Sequence, residues 1–228
     1  MSKKAVLKLV VDALMTLGLL LLMSYSLLGE AAHEWVGLSM FALFVLHHGL
    51  NLKWTKSLGR GRYTPFRVLQ TVLAALVLIF MLGSMFSGVV LSRYALKLDI
   101  RGLSSEARTV HMLCAYWGFA LMGMHLGTHW SAMMGMAGKL TEKTPPRWLL
   151  RTLAAILAAY GLYAFWRRDF GNYMLLRYHF VFFDLEEGLL PFLLDYIAIL
   201  SLFVIVGHYL SVGAKRLGRK NSRKGREE

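Results

Sequence analysis

The sequence has one cysteine and few charged residues, and each shortage excludes a class of protein. Cys114 has no second cysteine in the chain to pair with, so an internal disulfide is excluded, as is a C-x-x-C-H motif for covalent c-type haem. Charged residues make up 17% of the 228 residues and apolar residues 57%. Average globular domains carry about 25% charged residues, so this composition excludes an ordinary soluble domain.

The apolar residues are grouped in six blocks, each close to the roughly 20 residues that a helix needs to cross a bilayer. The blocks predict spans at Val6–Leu28, Trp35–Trp54, Pro65–Leu91, Thr109–Met133, Trp148–Trp166 and Leu189–Val212. We expect the first block to be a retained helix, since it exceeds twenty residues and leads directly into another span. The expected fold class is an all-α integral membrane protein with six transmembrane helices.

Basic residues are divided unevenly between the two faces of this arrangement. Of the 26 Lys and Arg residues, nineteen belong to the N-terminus, the 53–67 and 132–151 loops and the segment from residue 213. The positive-inside rule places this face, with both termini, in the cytoplasm. Because topology explains the basic excess, we expect lipid and not nucleic acid as a partner.

Two pairs of histidines carry most of the chemical information. His33 and His47 are fourteen residues apart along the second span, and His111 and His125 are fourteen apart along the fourth. Fourteen residues turn a helix by about 1400°, close to four full turns, so both members of a pair share a face about 21 Å apart. The two spans run in the same direction, so His33 and His111 are expected at an outer level, and His47 and His125 at an inner level.

Each level offers two imidazoles, which is the ligand set of a flat macrocycle whose iron takes two axial nitrogens. We therefore expect one haem b at each level, ligated by histidine on both sides. Glycines on these two spans and on the third span are expected to leave room for the rings to approach the backbone. They are Gly37, Gly49, Gly118, Gly123 and Gly127 on the histidine-bearing spans, and Gly83 and Gly88 on the third.

Other readings of the same residues stay open. His129 lies on the same helix face as His125, one turn further along. It is expected either to contact the inner haem without binding the iron or to replace His125 as the ligand. His33-Glu34 begins like a zinc-protease motif, but Gly37 stands where the second histidine belongs. A haem-free transporter or assembly anchor is the alternative function, in which intramembrane histidines with Asp12 and Asp195 handle protons or metal.

The histidine pattern resembles the haem-binding bundle of cytochrome b in quinol–cytochrome c oxidoreductases. Over roughly residues 8–135 the chain resembles more closely a family of small bacterial cytochrome-b-like proteins, which is similar to the cytochrome b subunits of formate dehydrogenases and hydrogenases. The strings that carry this resemblance are His33-Glu34-Trp35-x-Gly37, His47-x-x-Leu50-Asn51-x-Lys53-Trp54 and His125-x-Gly127-x-His129-Trp130.

The resemblance implies electron transfer in the bacterial inner membrane, with a quinone or quinol and an extracytoplasmic redox partner protein. Residues 1–135 are then expected to form a four-helix haem bundle, 136–212 an accessory transmembrane hairpin with an outer loop, and 213–228 a basic cytoplasmic tail. The expected function is that of a dihaem b-type cytochrome, an electron-transfer subunit of an oxidoreductase, and whether the chain also turns over a substrate stays open. The Pro-Glu-Trp motif of true cytochrome b is absent.

Overall fold

A computed structural model describes residues 2–97, 102–140, 146–182, 184 and 186–227, with the backbone only for 136–140, 147 and 221–227. The regular structure of these residues is entirely α-helical. The helices are α1 (Lys3–Met23), α2 (Tyr25–Leu28), α3 (Glu30–Ser57), α4 (Pro65–Leu91), α5 (Ser104–Leu140), α6 (Arg147–Arg167), α7 (Phe170–Met174) and α8 (Leu189–Glu227).

Five of these helices, α1, α3, α4, α6 and α8, are long and apolar enough to cross a membrane within the described part of the chain. The sixth predicted span, Thr109–Met133, lies inside α5, which is a helix of 37 residues. α5 is not among the five helices that meet the length and composition of a membrane span. Five helices therefore support a multi-pass membrane architecture, and the crossing of the membrane by α5 stays a prediction.

The first predicted span is divided into two helices. α1 ends at Met23, and the fully buried Ser24 donates its hydroxyl to the Leu21 carbonyl at 2.7 Å. One further turn, α2, leads to Gly29, whose φ of 83° reverses the chain into α3. A residue with a Cβ rarely adopts this conformation, so the glycine allows the tight connection. α1 and α3 consequently pack against each other as a hairpin.

The described chain divides into two compact units. One contains residues 1–61, 81–116 and 172–196, and the other contains 62–80, 117–171 and 197–228. Each is described by itself below. The division at residue 135 expected from the sequence stays a prediction.

In the first unit, α1 and α3 are in contact along their length. Gly18 of α1 receives the side chain of Met40, which is 2% exposed, and a Cβ at Gly18 would lie 3.2 Å from the Met40 Cε atom. At the other end of the hairpin, Lys8 of α1 donates to the Asn51 side-chain oxygen of α3 at 2.6 Å. The two helices are therefore antiparallel, and the start of α1 lies beside the end of α3.

In the second unit, glycines bring α5 and α8 into backbone contact. A Cβ at Gly127 would collide with the Val204 carbonyl, and a Cβ at Gly207 would collide with the Met124 carbonyl. Gly123 likewise faces Phe203 and Leu200. Small residues allow such close approach between apolar helices. The expectation that Gly123 and Gly127 leave room for a haem ring is thus not met, because α8 occupies that space.

The basic segment from residue 213 continues the last helix. α8 runs for 39 residues, from Leu189 to Glu227, so the predicted span Leu189–Val212 and the predicted tail form one helix. Lys215 lies over the Phe66 ring at 4.3 Å, a cation–π contact within the second unit.

Candidate functional site

The two histidines expected at the outer level lie close together in the first unit, in an edge-to-face contact. The ring centroids of His33, on α3, and His111, on α5, are 6.0 Å apart, and the ring planes are inclined by 71°. Each is near the start of its helix, so the pairing depends on how the turn before α3 and the first turns of α5 are placed. The fourteen-residue spacings of the two histidine pairs predict that His33 and His111 lie at one level.

The ring of His111 is held in place by α4. Nδ1 of His111 lies 3.0 Å from the Ser84 carbonyl and 3.1 Å from the Ser87 hydroxyl. A carbonyl oxygen can only accept a hydrogen bond. Nδ1 of His111 therefore carries the proton and donates a hydrogen bond to the Ser84 carbonyl. The Ser87 hydroxyl donates to the Gly83 carbonyl at 2.6 Å. The Nε2 atom of His111 is therefore the nitrogen with a free lone pair.

Gly88 of α4 makes space for this ring. A Cβ at Gly88 would lie 3.4 Å from Cε1 and 3.7 Å from Nδ1 of His111. Ser84, Ser87 and Gly88 thus form one side of the site, although the sequence argument did not single out the two serines. Their signal in the sequence is the occurrence of two hydroxyls three residues apart in an otherwise apolar span.

His33 has a different environment. Its ring meets the edge of Tyr25 at a centroid distance of 5.2 Å, and the Leu22 carbonyl faces it. Among the residues that the structure describes, Nδ1 of His33 is buried and has no hydrogen-bonding partner. A buried imidazole nitrogen without a hydrogen bond of ordinary geometry is costly, so Nδ1 of His33 is less well satisfied than Nδ1 of His111.

The pair fits the donor set of an iron porphyrin. Two imidazoles that bind opposite sides of one metal ion at about 2 Å each have ring centroids about 6 Å apart. The separation of 6.0 Å between His33 and His111 is close to this value, and it is also the separation of an ordinary edge-to-face contact between two imidazoles. The Nδ1–H of His111, donated to a main-chain carbonyl, is the second interaction that metal-ligating histidines usually make.

Glu34, next to His33, ties α3 to the segment after α4. Its carboxylate accepts hydrogen bonds at 2.8 Å from the main-chain N–H groups of Arg93, Tyr94 and Ala95 and from the Ser92 hydroxyl. Four donors around one carboxylate form a strong, charge-assisted contact. Since α4 holds His111 and α3 carries His33, this carboxylate fixes the two helices beside the histidine pair. The sequence does not indicate this role of Glu34, which stands out there only in an incomplete zinc-protease motif and in one of the strings that carry the resemblance.

At the opposite end of the α1–α3 hairpin, His47 belongs to a polar chain. Nδ1 of His47 lies 2.8 Å from the Asp12 carboxylate, and Nε2 lies 3.5 Å from the Asn51 amide nitrogen. Asn51 also donates to the His47 carbonyl at 2.9 Å and accepts from Lys8. Asp12 is therefore paired with a candidate haem ligand, and the carboxylate orients that ring as second interactions do in metal sites.

The candidate inner ligand on α5 lies in the second unit. The rings of His125 and His129 have centroids 5.1 Å apart at an angle of 62°. The Thr128 hydroxyl donates to the His125 carbonyl at 2.8 Å, and His129 is exposed. Because His47 belongs to the first unit, the expected pairing of His47 with His125 stays a prediction.

The remaining histidines have separate surroundings. His48 donates from Nδ1 to the Phe44 carbonyl at 3.0 Å, and its ring lies 4.3 Å from that of Phe44. His179 is exposed in the segment between α7 and α8. His208, on α8, lies beside Tyr209 with ring centroids 5.4 Å apart. The contacts of His48 are with its own helix.

Within the described residues, no group of three or more His, Cys, Asp or Glu side chains is arranged to hold a metal ion. A porphyrin iron needs only two protein ligands, which the His33–His111 pair can supply. A metal ion held by protein side chains alone would need more.

Comparisons of the chain with protein-family models, with curated proteins and with solved structures find no match.

Proposed function

We propose that this protein is a dihaem b-type cytochrome that transfers electrons across the membrane between a quinone pool and an extracytoplasmic redox partner. The observation that carries the proposal is the proximity of His33 and His111, whose ring centroids are 6.0 Å apart. The pair comes from two helices that the sequence argument had already matched by an equal histidine spacing.

The residues around this pair have distinct tasks. His33 and His111 would be the axial ligands of the outer haem. The Ser84 carbonyl holds the proton of His111 on Nδ1, which keeps Nε2 available as a ligand atom. Glu34 holds the segment from Ser92 to Ala95 and so limits movement of α3 against α4.

A second haem at the level of His47 and His125 completes the proposal. His33 and His47 are fourteen residues apart on the continuous helix α3, which corresponds to about 21 Å. Bound haem would supply a one-electron iron centre at each level, so that the crossing is divided into shorter transfers. Asp12 would orient His47 through its Nδ1 atom, and the carboxylate makes the ring a more basic ligand.

The test is a reduced-minus-oxidised absorption spectrum of the purified full-length protein, together with its haem content. We expect a b-type spectrum, low-spin iron and two haem groups per chain, because both axial positions are filled at each site. One haem per chain would refute the two-site proposal, and a spectrum without haem bands from protein purified under haem-replete expression would refute both sites.

The second candidate is a haem-free membrane protein that uses histidine and aspartate to handle protons or metal. The 2.8 Å contact between His47 and Asp12 favours it, because a carboxylate–imidazole pair inside a span is a frequent element of proton pathways. The same spectrum separates the two candidates, since only the cytochrome has absorption bands that change with reduction.

A further inference from the structure

A cavity of about 430 Å³ lies between the start of α1 and the end of α3. Its polar lining consists of Ser2, Lys4, Lys8, Asn51, Lys53 and the indole of Trp54. Three of these side chains are ammonium groups, and the lining contains no carboxylate. Neither the histidine pairs nor the proposed electron transfer makes use of this cavity.

Among the residues that the structure describes, no carboxylate forms an ion pair with Lys4, Lys8 or Lys53. Lys8 donates to the Asn51 oxygen at 2.6 Å, which is a neutral acceptor, and its other two N–H groups remain for a second partner. The first turn of α1 has no acidic residue, so the positive end of the helix dipole adds to the same charge. The cavity therefore favours an anion.

In a bilayer crossed by α1 and α3, the cavity would lie at the level of the lipid headgroups. It is at the shared end of two helices that are long and apolar enough to cross a membrane. Val6 and Val10 of α1 and Leu52 of α3 are each at least 45% exposed, so they offer apolar surface next to the lysines. Tryptophan at such a level is typical of the membrane–water interface. A phospholipid matches both parts of this surface. Its phosphate oxygens can bind the lysines, and its acyl chains can lie along the exposed leucine and valines.

We propose that this lysine cavity binds the phosphate headgroup of one anionic phospholipid, with Lys4, Lys8 and Lys53 as the phosphate-binding residues. The proposal does not depend on haem binding. It also differs from a general attraction of a basic surface for the membrane, because it assigns the preference to three lysines in one cavity.

The experiment is native mass spectrometry of the delipidated full-length protein. The protein is titrated with phosphatidylglycerol and with phosphatidylcholine that has the same acyl chains. We expect one phosphatidylglycerol to bind in clear preference to phosphatidylcholine. A lysine at an anionic lipid surface contributes roughly fivefold to affinity, so the K4Q/K8Q/K53Q variant is expected to lose about 100-fold.

The matched control is R216Q/R219Q/K220Q, which removes the same charge from three exposed positions of α8. It is expected to keep the preference for phosphatidylglycerol. An equal loss in both triple variants would mean that the total basic charge attracts the lipid, and it would overturn the assignment to the cavity. If the cavity triple variant does not fold, Lys53→Gln alone is measured, with an expected loss of about fivefold.

Competition with inorganic phosphate distinguishes a lipid from a soluble anion. We expect millimolar phosphate to leave the bound phosphatidylglycerol in place, because the acyl chains contribute to its affinity. Displacement by phosphate at that concentration would assign the cavity to a soluble phosphate and overturn the lipid proposal. Brominated acyl chains provide a second measurement, since their quenching of tryptophan fluorescence is expected to decrease in Trp54→Phe.

Discussion

Nδ1 of His111 lies 3.0 Å from the main-chain carbonyl of Ser84, and this contact determines which nitrogen of the ring is available to a ligand. A main-chain carbonyl cannot be changed by substitution of its own side chain, so α4 orients His111 by its backbone. Gly88, one turn further along α4, lies against Cε1 and Nδ1 of the same ring. The position of the ligand atom is thus tested most directly by filling the space at Gly88.

Gly88→Leu is expected to displace the ring of His111 and to remove one of two haem groups. Gly88→Ala is expected to keep both, since its Cβ would lie 3.4 Å from Cε1, within ordinary contact. Haem content per chain, measured by pyridine haemochrome, gives the answer. The control is Gly135→Leu on α5, because no described atom lies within 4 Å of a Cβ there. Full haem content in Gly88→Leu would contradict the role of His111.

Single histidine substitutions are expected to sort into pairs. His33→Ala and His111→Ala should lose the same haem, because each removes one of two axial ligands. His47→Ala and His125→Ala should lose the other one. Spectra of the four variants, recorded in redox titrations, identify which haem is absent.

The other histidines serve as controls for that series. His48→Ala and His179→Ala are expected to keep both haems, since His48 bonds to its own helix and His179 is exposed. His129→Ala should keep both with a shifted midpoint potential, because its ring lies 5.1 Å from that of His125. If His129→Ala loses a haem while His125→Ala does not, then His129 is the ligand on α5.

Glu34→Gln is expected to loosen the segment after α4. The substitution removes the charge and leaves one side-chain oxygen to accept from the three main-chain N–H groups that the carboxylate binds at 2.8 Å. Unpaired donors cost about 1–3 kcal/mol, so hydrogen exchange at Arg93, Tyr94 and Ala95 should become about tenfold faster or more. Mass spectrometry of peptides covering these residues measures it.

Glu30→Gln is the matched control for this change. Glu30 approaches the Arg93 guanidinium at 3.7 Å, and that side chain is 67% exposed. An exposed ion pair contributes about 0–1 kcal/mol, so exchange should change little. Equal exchange in both variants would refute the role given to Glu34.

Asp12→Ala is expected to weaken the haem ligated by His47. Loss of the carboxylate 2.8 Å from Nδ1 leaves the ring without its orienting partner, and such changes typically lower metal affinity about 10–100-fold. Haem retention during dilution and washing provides the measurement. Thr16→Val, one turn along α1, removes a hydroxyl that donates to the Asp12 main-chain carbonyl and should leave retention unchanged.

Gly127→Ala is expected to destabilise the protein, and Gly135→Ala on the same helix is not. A Cβ at Gly127 would collide with the Val204 carbonyl of α8, whereas a Cβ at Gly135 meets no described atom within 4 Å. Overpacking of this kind costs about 1–3 kcal/mol, while alanine in an open helical position is favoured over glycine by about 0.5–1 kcal/mol. Thermal unfolding of the two variants should therefore shift in opposite directions.

The sequence predicted most of the helices and predicted that His33 and His111 lie at one level. The block from Pro65 to Leu91 has the same bounds in the sequence prediction and in the structure, because a proline start and a long apolar run are local signals. The equal spacing of His33–His47 and His111–His125 predicted that His33 and His111 would lie at one level, and their rings are 6.0 Å apart. Helical periodicity needs no knowledge of distant residues, so these features can be read from the chain.

Tertiary structure alone decided which groups surround the histidines and which helix the glycines of α5 contact. The donors around Glu34 are 58 to 61 residues away along the chain, and the Ser84 carbonyl is 27 residues from His111. Gly123 and Gly127 contact α8, a use that the sequence does not distinguish from room for a haem ring. Such contacts depend on how separate helices pack. The order of apolar and polar residues along the chain does not specify which helix each helix face contacts.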